Sequence, residues 1–176
     1  MIKTLSLLLI SFCLLTIYAV ANDKPSRYEE VYAEIGYKTV EGALDDFEQH
    51  FKQKLKLPLR VPPISFTHYF GRLNNLEGDI NDTFEVIFIN DQFSENHFKI
   101  DVRPAKHKIQ FSDNYVLRTF KLNNGSDAKY MEKPIPGFNL LAFERDNWQY
   151  VFSIDKKVSD SITPEILVQI ANSIDF

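Results

Sequence analysis

Leu140-Leu-Ala-Phe-Glu-Arg145, then Asp146-Asn147, then Trp148-Gln-Tyr-Val-Phe-Ser-Ile154 is the stretch that decides the fold. Asp-Asn between two such apolar runs favours a two-residue hairpin turn. That turn fixes the register, with Arg145 opposite Trp148, Phe143 opposite Tyr150 and Leu141 opposite Phe152. Side chains alternate along a strand, so Leu141, Phe143, Trp148, Tyr150, Phe152 and Ile154 share one face. The other carries Glu144, Gln149, Ser153 and Asp155 among Leu140, Ala142 and Val151. One face is core and the other is mixed. Downstream, Thr163-Pro164-Glu165 starts a helix, and Ile166, Leu167, Ile170, Ala171 and Ile174 give it a stripe that can cover a sheet.

Upstream, Ser26-x-x-Glu29 reads as a capping box, with Tyr28, Val31, Tyr32 and Ile35 at helical spacing until Gly36. Thr39 caps a second helix, expected over Val40 to Leu55, whose stripe is Val40, Leu44, Phe47, Phe51 and Leu55. Pro58, Pro62 and Pro63 then bar helix and favour extended chain. Ile64 to Phe70 is expected to be a strand ending at Gly71, and Asn74 to Asp82 a loop. Thr83 to Ile89 and His97 to Arg103 are further strands. Phe98, Ile100 and Val102 point to one side of the latter, and His97, Lys99, Asp101 and Arg103 to the other. Tyr115 to Leu122 forms a strand, Asn123-Asn-Gly125 turns it, and Ala128 to Met131 returns. Residues 22–176 are therefore expected to be a single α+β domain. Its largely antiparallel, curved β-sheet is packed by an N-terminal helical pair and a C-terminal helix.

Residues 1–21 have the layout of a secretory signal peptide. Lys3 gives a basic start, Leu5 to Val20 an apolar run, and Ala19-Val-Ala21 a small-residue cleavage site. The alternative is an uncleaved anchor, for which the run is short, since a membrane span needs about 20 apolar residues. No stable span is expected once the leader is removed, and the destination is secreted or extracytoplasmic. Cys13, the one cysteine, lies in the leader, so the mature chain has no thiol or disulfide chemistry. Without Lys3 there remain 19 basic against 24 acidic side chains. That balance argues against bulk binding of nucleic acid or anionic lipid.

His68, His97, Asp101 and Arg103 are the candidate ligand-binding residues. The last three share a strand face, where they could hold an anion or act as acid and base, or form an ordinary solvated strand face. No His-x-x-x-His or Cys-x-x-Cys spacing exists, so no metal or cofactor is expected. Lys99, Arg103, Lys106, His107 and Lys108 form the evident basic stretch, read as an edge strand protected by lysines. The oxygen donors from Glu77 to Glu85 could form an irregular calcium loop, although the helix-loop-helix calcium pattern is absent. No nucleophile elbow, phosphate-cradling glycine loop or dinucleotide fingerprint occurs.

Trp148-Gln-Tyr150-Val-Phe-Ser-Ile with Thr163-Pro-Glu-Ile-Leu-Val-Gln-Ile-Ala171-Asn-Ser173-Ile resembles the closing hairpin and helix of a domain from exported and membrane-attached proteins of Gram-positive spore-formers. Some of those proteins are linked to anti-sigma factors. Leu57-Pro-Leu-Arg-Val-Pro-Pro-Ile-Ser-Phe-Thr-His68 is similar to secreted proteins of the same group. The resemblance implies an envelope location and supplies no catalytic residues. With the core pattern it leads to an exported, non-catalytic domain that binds an unknown protein partner or a small apolar ligand. The alternatives are a lipid carrier that cradles its cargo on the aromatic sheet and a hydrolase using the His/Asp/Arg cluster.

Overall fold

The computed structural model describes residues 27–75 and 78–175. The leader expected at 1–21 and the Ser26 cap lie outside them. In chain order the regular elements are α1 (Arg27–Glu34), α2 (Val40–Phe51), β1 (His68–Asn74), β2 (Thr83–Ile89), β3 (His97–Pro104), β4 (Val116–Lys121), β5 (Asp127–Met131), β6 (Phe138–Arg145), β7 (Trp148–Asp155) and α3 (Pro164–Asn172). The strands form one antiparallel sheet in the order β1-β2-β3-β7-β6-β5-β4. The closing hairpin has the expected register, and both turn residues, Asp146 (φ 49) and Asn147 (φ 68), are left-handed as that tight turn requires. The fold is α+β, with a curved sheet, an N-terminal helical pair and a C-terminal helix.

α2 and α3 cover one face of the sheet. Phe47 of α2 is fully buried against Phe84 and Trp148, and Phe98, Phe152 and Phe143 continue the aromatic row beneath. Leu167, Ile170, Ala171 and Ile174 from α3 and the turn after it close the same core. The helical pair is split by the edge strand. α1 crosses to the opposite face, where Tyr32 stacks on Phe70 at 4.9 Å beside buried Tyr37, Ile87 and Ile89. Between the helices, Lys38 makes both backbone hydrogen bonds to Gly71, each 2.9 Å, at the outer side of β1.

Three expected boundaries move. β1 starts at His68 instead of Ile64, because the Asn90 and Asn96 amides donate to the Ser65 carbonyl and hold that stretch off the ladder. It also runs on through Gly71, whose missing side chain lets α2 lie directly on the strand. α2 stops at Phe51, four residues short of Leu55. Lys52 turns left-handed (φ 56) and closes the last turn onto the Glu48 carbonyl, while Leu55 reaches the core from extended chain.

The mixed face is covered as well. The chain from β3 to β4 crosses it, with Phe111 packing on Met131, Leu140, Ala142 and Val151. Gln149, only 5 % exposed, grips this crossover by accepting from the Ile109 N–H (2.8 Å) and donating to its carbonyl (3.0 Å). β3 therefore lies inside the sheet, and the edge-strand reading of its basic stretch is corrected: Lys99 pairs with Asp101 and Lys108 with Glu144. No described helix is long and apolar enough to cross a membrane.

Candidate functional site

The four residues singled out from sequence do not converge. His97 and Arg103 stand six residues apart on β3, about 20 Å along an extended strand. His68 and His97 share a cross-strand row, but buried Ile89 lies between them. His68 stacks with Phe70 and Tyr28 and bonds to Thr67 Oγ1 at 2.8 Å. His97 packs edge-on against Phe138 at 5.2 Å, and its buried Nε2 has no hydrogen-bond partner. Burial holds its pKa below the ordinary value, against the pull of Asp155. Among the described residues no group of three or more His, Asp or Glu side chains could hold a metal ion.

Asp101 belongs to a charge ladder that spans three strands on the α1 side of the sheet. Glu85 is its centre, accepting from the Tyr37 hydroxyl (2.6 Å), Arg72 (2.8 Å) and Asn74 (3.1 Å). Lys99 bridges Glu85 at 3.4 Å and Asp101 at 2.8 Å, and Arg72 lies over the Tyr37 ring. The ladder therefore ties β1, β2 and β3 to the connection between α1 and α2 through Tyr37 and the Ile35 carbonyl. Burial pushes the Glu85 carboxyl up, but the Tyr37 hydrogen bond and the Lys99 and Arg72 charges outweigh it, and its pKa falls below normal. A carboxyl depressed by folding stabilises above its unfolded pKa and loses that contribution as pH falls through its folded pKa. Burial raises Asp101 despite Lys99, so its own contribution has the opposite sign and weakens as pH rises through its folded pKa. Glu85→Gln is expected to cost about 3 kcal/mol at neutral pH, the scale for breaking a mostly buried pair from one side. Urea unfolding at neutral and acid pH checks this, and the gap from wild type should narrow on the acid side. An equal gap at both would remove the electrostatic account.

At one end of the sheet, α2, the start of β2, the end of β3 and the β6–β7 turn enclose an open cleft of about 550 Å³. Phe51, Trp148 and Pro104 give it apolar walls, and His50, Asp82 and Lys106 supply polar groups. Asp82, 2 % exposed, accepts from His50 Nε2 at 2.7 Å, while its Oδ1 is buried without a partner. Asn75 Nδ2 lies 3.4 Å from His50 Nδ1, so both ring nitrogens are engaged. Of the oxygen donors from Glu77 to Glu85, Asp82 and Glu85 do not share a site. Strand alternation sends Asp82 toward the cleft and Glu85 into the ladder on the opposite face. Glu77 and the Asp79 side chain lie outside the described residues.

No family model, curated protein or solved structure matches the chain. The cleft must be read from its own chemistry. The residues lining it are His50, Asp82 and Lys106 with Gln53 and Asn147 as polar groups, and Phe51, Pro104, Ala105 and Trp148 as apolar ones. Together they make a half-apolar recess with one buried acceptor and a lysine, the composition of a small-ligand site.

Proposed function

We propose that the protein is an exported, non-catalytic binding domain of the cell envelope, a sensor or accessory protein whose small ligand occupies the Asp82–Trp148 cleft. The observation that carries this is the buried Asp82 carboxylate, held on one oxygen by His50 and unmatched on the other, at the wall of a recess of ligand size. The lipid-carrier alternative has less support, because the sheet face under α2 is filled by Phe47, Phe84, Phe98, Tyr150 and Phe152, each at most 1 % exposed. The hydrolase alternative is weakened by the separation of His97, Asp101 and Arg103. A partly apolar ligand fits the cleft through Phe51 and Trp148.

Trp148 is the sole tryptophan, so its emission reports directly on cleft occupancy. Native mass spectrometry of gently purified protein is expected to show a co-purified small molecule, absent from an Ala105→Phe variant that fills the recess and melts at the wild-type temperature. Stripping the ligand should shift Trp148 emission in the wild type alone. A clean apo mass from both proteins would overturn the reading.

A further inference from the structure

Along the sheet most cations are met by acids, Arg103 excepted: Arg72 by Glu85, Lys99 by Asp101, Lys108 by Glu144, Arg118 by Glu165, Lys121 by Asp127 and Lys129 by Asp113. The connection between α2 and β1 is different. From Lys52 to Ile64 it contains no acidic residue, yet it carries Lys52, Lys54, Lys56 and Arg60, all exposed. No ion pair forms at any of the four among the described residues. Beside these cations stand Leu59, at 69 % the most exposed large apolar side chain described, and Val61 at 39 %.

The segment is also held in shape. Tyr150 donates to the Lys56 carbonyl at 2.9 Å, the Leu59 N–H reaches the Ser173 carbonyl at 3.4 Å, and the Arg60 N–H reaches Ser173 Oγ at 3.2 Å. Pro62 is buried, and Pro58 and Pro63 restrict the backbone on either side. Leu59, Arg60 and Val61 are thus presented outward on a strap whose main chain is already ordered, so binding would fix little beyond side-chain rotamers.

We infer that this strap docks on an anionic phospholipid surface. Lys54, Lys56 and Arg60 meet headgroup phosphates, and Leu59 with Val61 enters the boundary between headgroups and acyl chains. A protruding leucine flanked by cations suits a deformable interface, whereas a folded acidic partner would need a pit shaped to receive it. The net charge of −4 argues against attraction by the whole molecule, so contact must come from this local patch. The inference is independent of the cleft and concerns where the domain rests.

The test is co-sedimentation of the full chain with vesicles of phosphatidylcholine alone and of phosphatidylcholine mixed with phosphatidylglycerol. Every variant carries the same residues 1–26, so differences between variants isolate the strap. Binding should rise with phosphatidylglycerol and fall with added salt. A cation near such a surface is worth about 1 kcal/mol, roughly fivefold, so removing three in Lys54→Ala/Lys56→Ala/Arg60→Ala should weaken binding about 100-fold. Leu59→Ala should weaken it about 10-fold at every salt concentration. Equal binding to neutral and anionic vesicles, or a triple variant that sediments like wild type, would overturn the proposal. So would capture of soluble polyglutamate without capture of vesicles, which would point to an acidic protein instead.

Discussion

Replacing Gly71 by alanine is expected to lift α2 off the sheet and lower the unfolding free energy by about 3 kcal/mol, at the upper end for an overpacked contact. A Cβ at this position would stand 2.7 Å from Ala43 Cβ and 3.0 Å from Val40 Cα, both on α2. Neither neighbour is the movable end of a long side chain, so the helix itself must shift. Elsewhere in a strand the change would help, since alanine gives up less backbone entropy on folding than glycine. For a domain of this size the loss corresponds to roughly 6–12 °C in Tm. Urea unfolding followed by Trp148 emission measures it, and the double variant Gly71→Ala/Ala43→Gly supplies the control. If steric contact with Ala43 is the cause, the two changes together should cost at least about 1 kcal/mol less than their sum. Strict additivity would remove the close-approach explanation.

How far residues alone reach is clear from where the readings held and where they moved. Contacts set by local period were legible: the Arg145–Trp148 register, the alternation of β3, the apolar stripe of α2 and the proline start of α3. Each depends on neighbours two to four positions apart. The partner of a strand across the sheet does not. The pairing of Phe98 with Ile154 joins distant segments and makes β3 internal, which no property of His97 to Arg103 announces. The mixed face of the final hairpin already contained the clue to its cover, because Leu140, Ala142 and Val151 are too apolar for a solvated face. The covering chain that supplies Phe111 could not be named from them.

The candidate site was less legible still. His50 and Asp82 are 32 residues apart, beyond any local spacing rule. The one available signal was position. His50 lies next to Phe51 at the edge of an apolar stripe, where a polar side chain is carried to the rim of the core. The unmatched cations escaped notice for the opposite reason. A basic run on β3 stood out because its charges are adjacent in sequence, whereas Lys52 to Arg60 became conspicuous only once the acids along the strands were seen to be occupied.

Phe47→Ala is expected to have the largest effect on stability and to reach the cleft as well. Phe47 is fully buried, with ring centroids 4.6 Å from Phe51, 5.6 Å from Phe84 and 4.8 Å from Trp148. Removing a core phenylalanine costs about 3–5 kcal/mol, the spread depending on how far the surroundings collapse into the void. That is a large part of the 5–15 kcal/mol typical of a whole domain. Phe51 and Trp148 are in contact with each other at 4.9 Å and both line the cleft, so they are the side chains placed to fall inward. Their movement should widen the recess, shift Trp148 emission to longer wavelength and strip the protein of any co-purified ligand. Phe47→Leu keeps most of the volume and should cost less than about 1.5 kcal/mol, with the emission of wild type. A Phe47→Ala protein that loses stability while its tryptophan spectrum and ligand content stay unchanged would mean that the cleft is built independently of α2, and the link drawn between the core and the binding site would be wrong.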